Sequence, residues 1–176
     1  MIMDVIEYTT SDGPGFRTSI YCSGCWHACK NCQNPQTWRL ENGHAVDVEE
    51  LYNQVVRNEM ADVTFSGGDP FYQPLGFAML AKKIKETTNK TIWCYTGFVY
   101  EQIVNDPKLS VLLPYIDVLV DGEFVQSLHD SDLLFRGSSN QRLIDVKKSL
   151  KAGFAVDYDY NPFYISSEIK EKNRIF

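Results

Sequence analysis

Short runs rich in β-branched and aromatic residues alternate along this chain with amphipathic stretches, and that order confines the fold to repeated strand and helix units. Residues 16–22 (FRTSIYC), 62–66 (DVTFS), 91–95 (TIWCY) and 116–120 (IDVLV) are bounded by Gly, Pro or Asp and have the length of buried strands. Between the first two, Asp47 stands as an N-cap with Glu50 three residues on, which predicts a helix over 48–60. Pro74 opens a second helix over 74–87, with Leu75, Ala78, Met79 and Ala81 toward the core and Lys82, Lys83 and Lys85 outward. A third, over 99–105, is stopped by Pro107. Such βα repeats close by right-handed crossovers, so the expected fold is α/β with mostly parallel strands, as a parallel sheet or partial barrel. The 176 residues suffice for one domain with an ordinary core, and no internal repeat, low-complexity tract or linker divides them.

In sheets of this kind the loops leaving the carboxyl ends of the strands gather on one edge, where ligands bind. Cys25, Cys29 and Cys32 follow the first run, Gly67, Gly68, Asp69 and Pro70 the second, Thr96 and Gly97 the third, and Asp121 and Gly122 the fourth. Motifs scattered along the chain thereby belong to one site.

Composition narrows the chemistry. Lys plus Arg number 17 and Asp plus Glu 23, a net charge of -6, and no basic stripe is present to offset repulsion from a phosphate backbone, so no nucleic-acid partner is expected. Residues 1–10 carry acidic groups and no basic segment ahead of an apolar one, unlike a secretory signal. The longest apolar stretch, 111–120, contains Pro114 and Asp117 and falls short of the roughly 20 residues of a membrane span. A cytoplasmic protein with no membrane contact is the expectation. In that reducing compartment, four cysteines crowded into 22–32 favour metal binding over disulfides.

The spacing Cys25-x-x-x-Cys29-x-x-Cys32 suits a cubane iron–sulfur cluster held at three irons, with the last iron open to a small molecule. Two other readings stand beside it. Cys22 with Cys25 and Cys29 with Cys32 form two Cys-x-x-Cys pairs, a zinc pattern, although the three residues between the pairs compare with about 12 or more in usual zinc sites. Cys22 could also close the cluster as a fourth ligand; its place on a predicted strand favours a non-ligating role. Cys94 reads as a small buried residue. His27 either tunes the cluster or is structural, and His44 and His129 read as surface residues. Asp121 either meets ribose hydroxyls or caps its turn.

The cysteine triplet and the Gly-Gly-Asp-Pro turn resemble the radical S-adenosylmethionine superfamily, and residues 12–17 (DGPGFR) resemble its glycyl-radical activating branch. Residues 134–142 (LFRGSSNQR), with 37–39 (TWR) and 120–122 (VDG), are similar to the activating proteins of anaerobic, class III ribonucleotide reductases, and the match runs to near Val146. The resemblance implies an incomplete βα barrel of the radical S-adenosylmethionine type over 1–149, with a tail, 150–176, packed on the same domain. It implies Cys25, Cys29 and Cys32 as ligands of a 4Fe-4S cluster, with no catalytic residue beyond them. Asn31, Cys32, Gln33, Gly67, Gly68, Asp69, Thr96 and Asp121 would lie beside S-adenosylmethionine. Gly67, Gly68 and Asp69 would receive the methionine amine, Asp69 standing where other branches often carry glutamate. The implied reaction is reductive cleavage of that cofactor to a 5′-deoxyadenosyl radical, which takes hydrogen from a glycine of the reductase large subunit. An electron donor such as a flavodoxin is the other implied partner. Activation of another glycyl-radical enzyme, such as pyruvate formate-lyase, and a non-catalytic iron–sulfur or zinc module are the competing functions.

Residues 136–142 admit two placements. Either 133–135 is a strand and the loop after it emerges at the site edge, or 143–146 is the strand and the loop enters from the other end.

Overall fold

A computed structural model describes residues 1–160. One sheet holds six strands in chain order: β1 (Ile2–Thr9), β2 (Arg17–Cys22), β3 (Asp62–Gly67), β4 (Ile92–Tyr95), β5 (Val118–Asp121) and β6 (Arg142–Asp145). β2 to β5 are parallel, as the four runs predict, while β1 and β6 pair antiparallel at the two edges. The parallel strands are joined through α1 (Val48–Arg57), α2 (Pro74–Thr87) and α3 (Tyr100–Asn105), and α4 (Val146–Ala152) follows β6.

Alternation along the strands sends side chains to two faces. On one face Ile20, Val63, Phe65, Ile92, Leu119 and Ile144 meet Leu51 and Val55 of α1, Phe77, Leu80 and Ile84 of α2 and Ile103 of α3, which makes the main core. On the other, Trp93, Val118 and Val120 pack with Phe135, Leu143 and Tyr158. Arg17 lies buried on this second face. It donates to Thr64 Oγ1 at 2.6 Å and to the Thr91 carbonyl at 3.3 Å, with its guanidinium carbon 5.5 Å from the Trp93 ring centre. Burial pulls its pKa down to about 10.

Three local expectations are corrected. α1 stops at Arg57, because the buried Lys90 ammonium takes the Asn58 carbonyl at 2.6 Å and ends the helix. Its cap is Asp47, which accepts from Glu49 N at 2.7 Å, two residues along and not three. In α2, Ala78 and Ala81 are buried as expected, but Leu75 and Met79 are 68% and 63% exposed. The spacing of Phe77, Ala81 and Ile84, with Leu80 beside them, sets the buried stripe and turns Leu75 and Met79 away.

β1 and α4 are additions to the predicted elements, and β6 is the second of the two strand placements, shifted by one residue. The 149/150 boundary falls inside α4, and the chain after it returns to the sheet: Asp145 N donates to Val156 O at 2.9 Å and Tyr158 N to Leu143 O at 2.8 Å. Tyr158 then meets Trp93 edge-on at 5.7 Å and Tyr160 meets Phe135 at 5.1 Å, while Phe154 stays exposed. The other tail aromatics, Phe163 and Tyr164, lie outside the described residues. No helix among the described residues is long and apolar enough to cross a membrane.

Candidate functional site

The cysteine loop leaves the carboxyl end of β2 and is laced at once to the turn after β3. Gly68 N donates to Cys22 O at 2.7 Å, and Asp69 N to Gly24 O at 2.9 Å. A Cβ on Gly67 would stand 2.5 Å from the Cys22 backbone, and one on Gly68 would stand 2.6 Å from Gly24 O, so the two loops approach this closely only through the paired glycines. From the other side Gly24 N donates to Thr37 O at 2.7 Å and Cys25 N to Trp38 O at 3.0 Å, which gives the Thr-Trp-Arg motif its structural task. The loop turns through left-handed backbone at Ala28 and Asn31 (φ 50° and 58°), and asparagine is among the few side chains that tolerate that conformation.

These contacts bring Cys25, Cys29 and Cys32 to the wall of one cavity of about 340 Å³ at the carboxyl edge of the sheet. Gln33, Gly67, Gly68 and Thr96 line the same cavity. Asn31, Asp69 and Asp121 are not among its lining residues. Asn31 is exposed, its conformation serving the loop. Asp121 is fully buried beneath the edge, where it accepts from Arg142 at 2.5 and 3.0 Å and from Tyr100 N at 2.7 Å, capping α3. Cys22 and Cys94 are buried in the main core.

Asp69 is a hub. Its Oδ1 accepts from Phe71 N at 2.9 Å, and its Oδ2 from Thr96 Oγ1 at 2.9 Å and Gly97 N at 3.0 Å, with His27 Nε2 2.9 Å away. His27 Nδ1 lies 3.2 Å from Glu123, and its ring packs edge-on to Phe98 at 4.6 Å. One imidazole between two of the cysteines therefore ties the loops after β2, β3, β4 and β5. Burial works against a charged ring here, but the hydrogen bonds and charges of Asp69 and Glu123 outweigh it and hold His27 above its ordinary pKa.

Burial likewise pushes the Cys25 thiol up to about 11 and raises Cys29. The backbone amides of His27 and Phe124 act in the opposite sense on these two sulfurs, and Asn34 N donates to Cys32 Sγ at 3.4 Å. Without metal Cys25 and Cys29 rest as thiols, and loading them releases protons. All three are free of disulfides. Among the described residues no three His, Cys, Asp or Glu side chains are gathered tightly enough for a single metal ion.

Sequence reasoning assigned no role to Asp12 or Phe124 and left open whether residues 136–142 reach the site. Asp12, Phe124, Phe135, Arg136 and Gln141 all line the cavity. Because β6 runs antiparallel to β5, with Arg142 opposite Asp121, the loop between them begins and ends at the carboxyl edge. Both placements weighed from the sequence assumed a parallel strand. The signal was present in the 134–142 motif, whose Gln141 side chain accepts from Gly137 N at 2.9 Å and Ser138 N at 3.1 Å and donates to Gly122 O at 2.9 Å.

Residues 11–144 match a family described as a 4Fe-4S single cluster domain. The chain is 37% identical over 153 residues to the anaerobic ribonucleoside-triphosphate reductase-activating protein of Haemophilus influenzae, covering 79% of this chain and 96% of that one. The Vibrio cholerae protein of the same name is 39% identical over 74% of this chain and 88% of its own length, and that of Enterobacteria phage T4 is 35% identical over 75% and 85%. This chain belongs to the activating-protein family. Every cavity residue of this family member, from Ser11 to Gln141, falls within the matched segment, so the cavity belongs to the 4Fe-4S domain. An iron–sulfur cluster is accordingly part of its chemistry.

Proposed function

We propose that this protein generates the glycyl radical of an anaerobic ribonucleotide reductase, with Cys25, Cys29 and Cys32 holding a 4Fe-4S cluster and S-adenosylmethionine beside it. The observation that carries the reading is the convergence of three free cysteines, without Cys22 or Cys94, on one cavity of about 340 Å³ in a chain of the activating-protein family. Three sulfurs, each beside a backbone N–H, fit a cubane held at three corners, since such N–H groups stabilise the charge on cluster sulfurs. Held by Cys25, Cys29 and Cys32, the cluster would supply the one electron for reductive cleavage of the cofactor's bond from sulfur to the ribose carbon, the chemistry that yields methionine and allows a hydrogen atom to be taken from the partner's glycine.

The chain's own residues position and shield. Gly67 and Gly68 let backbone come close to the amino-acid end of the cofactor, and Gln33 and Thr96 supply polar groups on the wall. Asp69, committed to Phe71, Thr96, Gly97 and His27, braces the loops in this geometry; Asn31 and Asp121 act on the cavity through the backbone they hold. The six-stranded sheet serves as the partial barrel of a radical S-adenosylmethionine domain over 1–149, with 150–176 as its tail. A one-electron donor such as a flavodoxin reduces the cluster.

Anaerobic reconstitution, followed by S-adenosylmethionine, reductant and the reductase large subunit, tests the reading. A glycyl-radical signal on the reductase with release of 5′-deoxyadenosine is the expected result, and pyruvate formate-lyase in its place should stay silent. A fully loaded cluster that releases no 5′-deoxyadenosine would identify an electron carrier instead.

A further inference from the structure

Three arginines stand on or beside the sheet face that leads to the cavity, and two are spoken for. Arg17 is bonded into the sheet, and Arg142 is paired with Asp121 and with Glu101 at 2.8 Å. Arg136 differs from both. It is the one Lys or Arg on the cavity wall, and it forms no ion pair among the described residues. Among the described residues its single side-chain hydrogen bond runs from Nη1 to Gln141 O at 3.2 Å, and its Nε–H is enclosed with no acceptor. An enclosed cationic donor without a partner is costly, and such a group marks a place where an anion completes the bonding.

The backbone that carries Arg136 is fixed in advance. Phe135 adopts left-handed backbone (φ 59°), uncommon for an aromatic residue, and is held there by edge contacts to Trp93 at 5.3 Å and Tyr160 at 5.1 Å. Strain of this kind persists only where surrounding contacts enforce it, and it aims the next side chain. Behind it, Gln141 grips Gly137 N and Ser138 N, and the Gly137 backbone meets the Phe124 ring, whose own backbone amide lies beside Cys29. Arg136 is thus joined to the cysteine wall through a short chain of contacts.

We infer that Arg136 is the carboxylate-binding residue of the cavity and receives the α-carboxylate of S-adenosylmethionine. The assignment rests on the cofactor reading above. A guanidinium offers a planar pair of N–H groups that matches a carboxylate's two oxygens, and the amino-acid end of this cofactor carries one carboxylate. Lysine would keep the charge and lose the fork.

The test is equilibrium binding to the anaerobically reconstituted protein, using S-adenosylmethionine and its decarboxylated analogue, for wild type, R136Q and R136K. R136Q should weaken binding of the intact cofactor by about tenfold to a hundredfold, the range of a lost charge-assisted hydrogen bond, and leave the analogue's affinity unchanged. R136K should fall between. Equal affinity of wild type and R136Q for the intact cofactor, or the same loss for both ligands, would overturn the assignment. Iron content and circular dichroism establish that the variants are loaded and folded. Should R136Q fail that check, R136K alone decides, by whether its loss is confined to the carboxylate-bearing ligand. A wild-type protein that binds neither ligand would instead overturn the cofactor reading, and the assignment with it.

Discussion

Gly97 lacks a side chain because His27 already occupies the space: a Cβ there would lie 2.4 Å from the imidazole ring. Gly97→Ala is expected to push His27 off Asp69, costing about 2 kcal/mol in urea unfolding, as overpacking does, and to shorten the life of the cluster absorbance in air. A variant that unfolds at the wild-type urea concentration would show that the ring moves aside freely. The cysteines divide in the same way. Cys25→Ala, Cys29→Ala and Cys32→Ala should each lose bound iron and sulfide. Cys22→Ala should keep them at a stability cost of about 1 kcal/mol for one buried atom. Iron analysis after anaerobic reconstitution decides, and loss of iron in folded Cys22→Ala would make that residue a ligand. That the three cysteines reach one cavity wall was legible from their spacing within a single loop. The commitment of Asp69 to His27 was not, because a Gly-Gly-Asp-Pro turn does not reveal a histidine 42 residues away.

At the scale of elements, the pairing of β6 with β5 matters most, for it keeps residues 122–141 at the cavity. Arg142 pins that pairing. It bonds Asp121, which is fully buried, and Glu101 at the start of α3. Arg142→Ala would leave the Asp121 carboxylate buried with Tyr100 N as its remaining donor, an uncompensated charge worth about 3 kcal/mol of lost stability. Chemical denaturation measures that loss. Replacing Asp121 as well, with Asn, should recover part of it, and a double variant no more stable than Arg142→Ala would show that charge burial is not the cause. The four inner strands and the three crossover helices were legible within a residue or two at most ends, because buried parallel strands read as continuous apolar runs. Of the edge strands, β1 was not, for it shows acidic and exposed positions along its length, and β6, four residues flanked by polar loops, was legible only as one of two placements and with the wrong direction.

For the whole molecule, two titrating groups, Glu101 on α3 and His27 in the cysteine loop, shape the pH response of the cluster-free chain. Glu101 is held below its ordinary 4.5, chiefly by its hydrogen bond from Arg142, so its contribution is present above 4.5 and lost as pH falls through the depressed value. His27 is held above 6.5, so its contribution is complete below 6.5 and lost as pH rises through the elevated value. Thermal unfolding followed by circular dichroism should show a plateau between about 4.5 and 6.5 and a decline on either side. His27→Gln should flatten the alkaline limb alone, and an unchanged alkaline limb in that variant would remove His27 from the account.

Local order in the chain determined which segments become strands and helices, which edge collects their loops and which three thiols share one loop, since hydrophobic period and cysteine spacing act over a few residues. Tertiary structure decided the rest: which face α2 buries, that β6 runs antiparallel and so returns Arg136 to the cavity, and that Asp69 and Asp121 serve as buried acceptors. A carboxylate takes whatever donors the fold brings to it, and those donors come from distant strands, so its role is settled only when the loops meet.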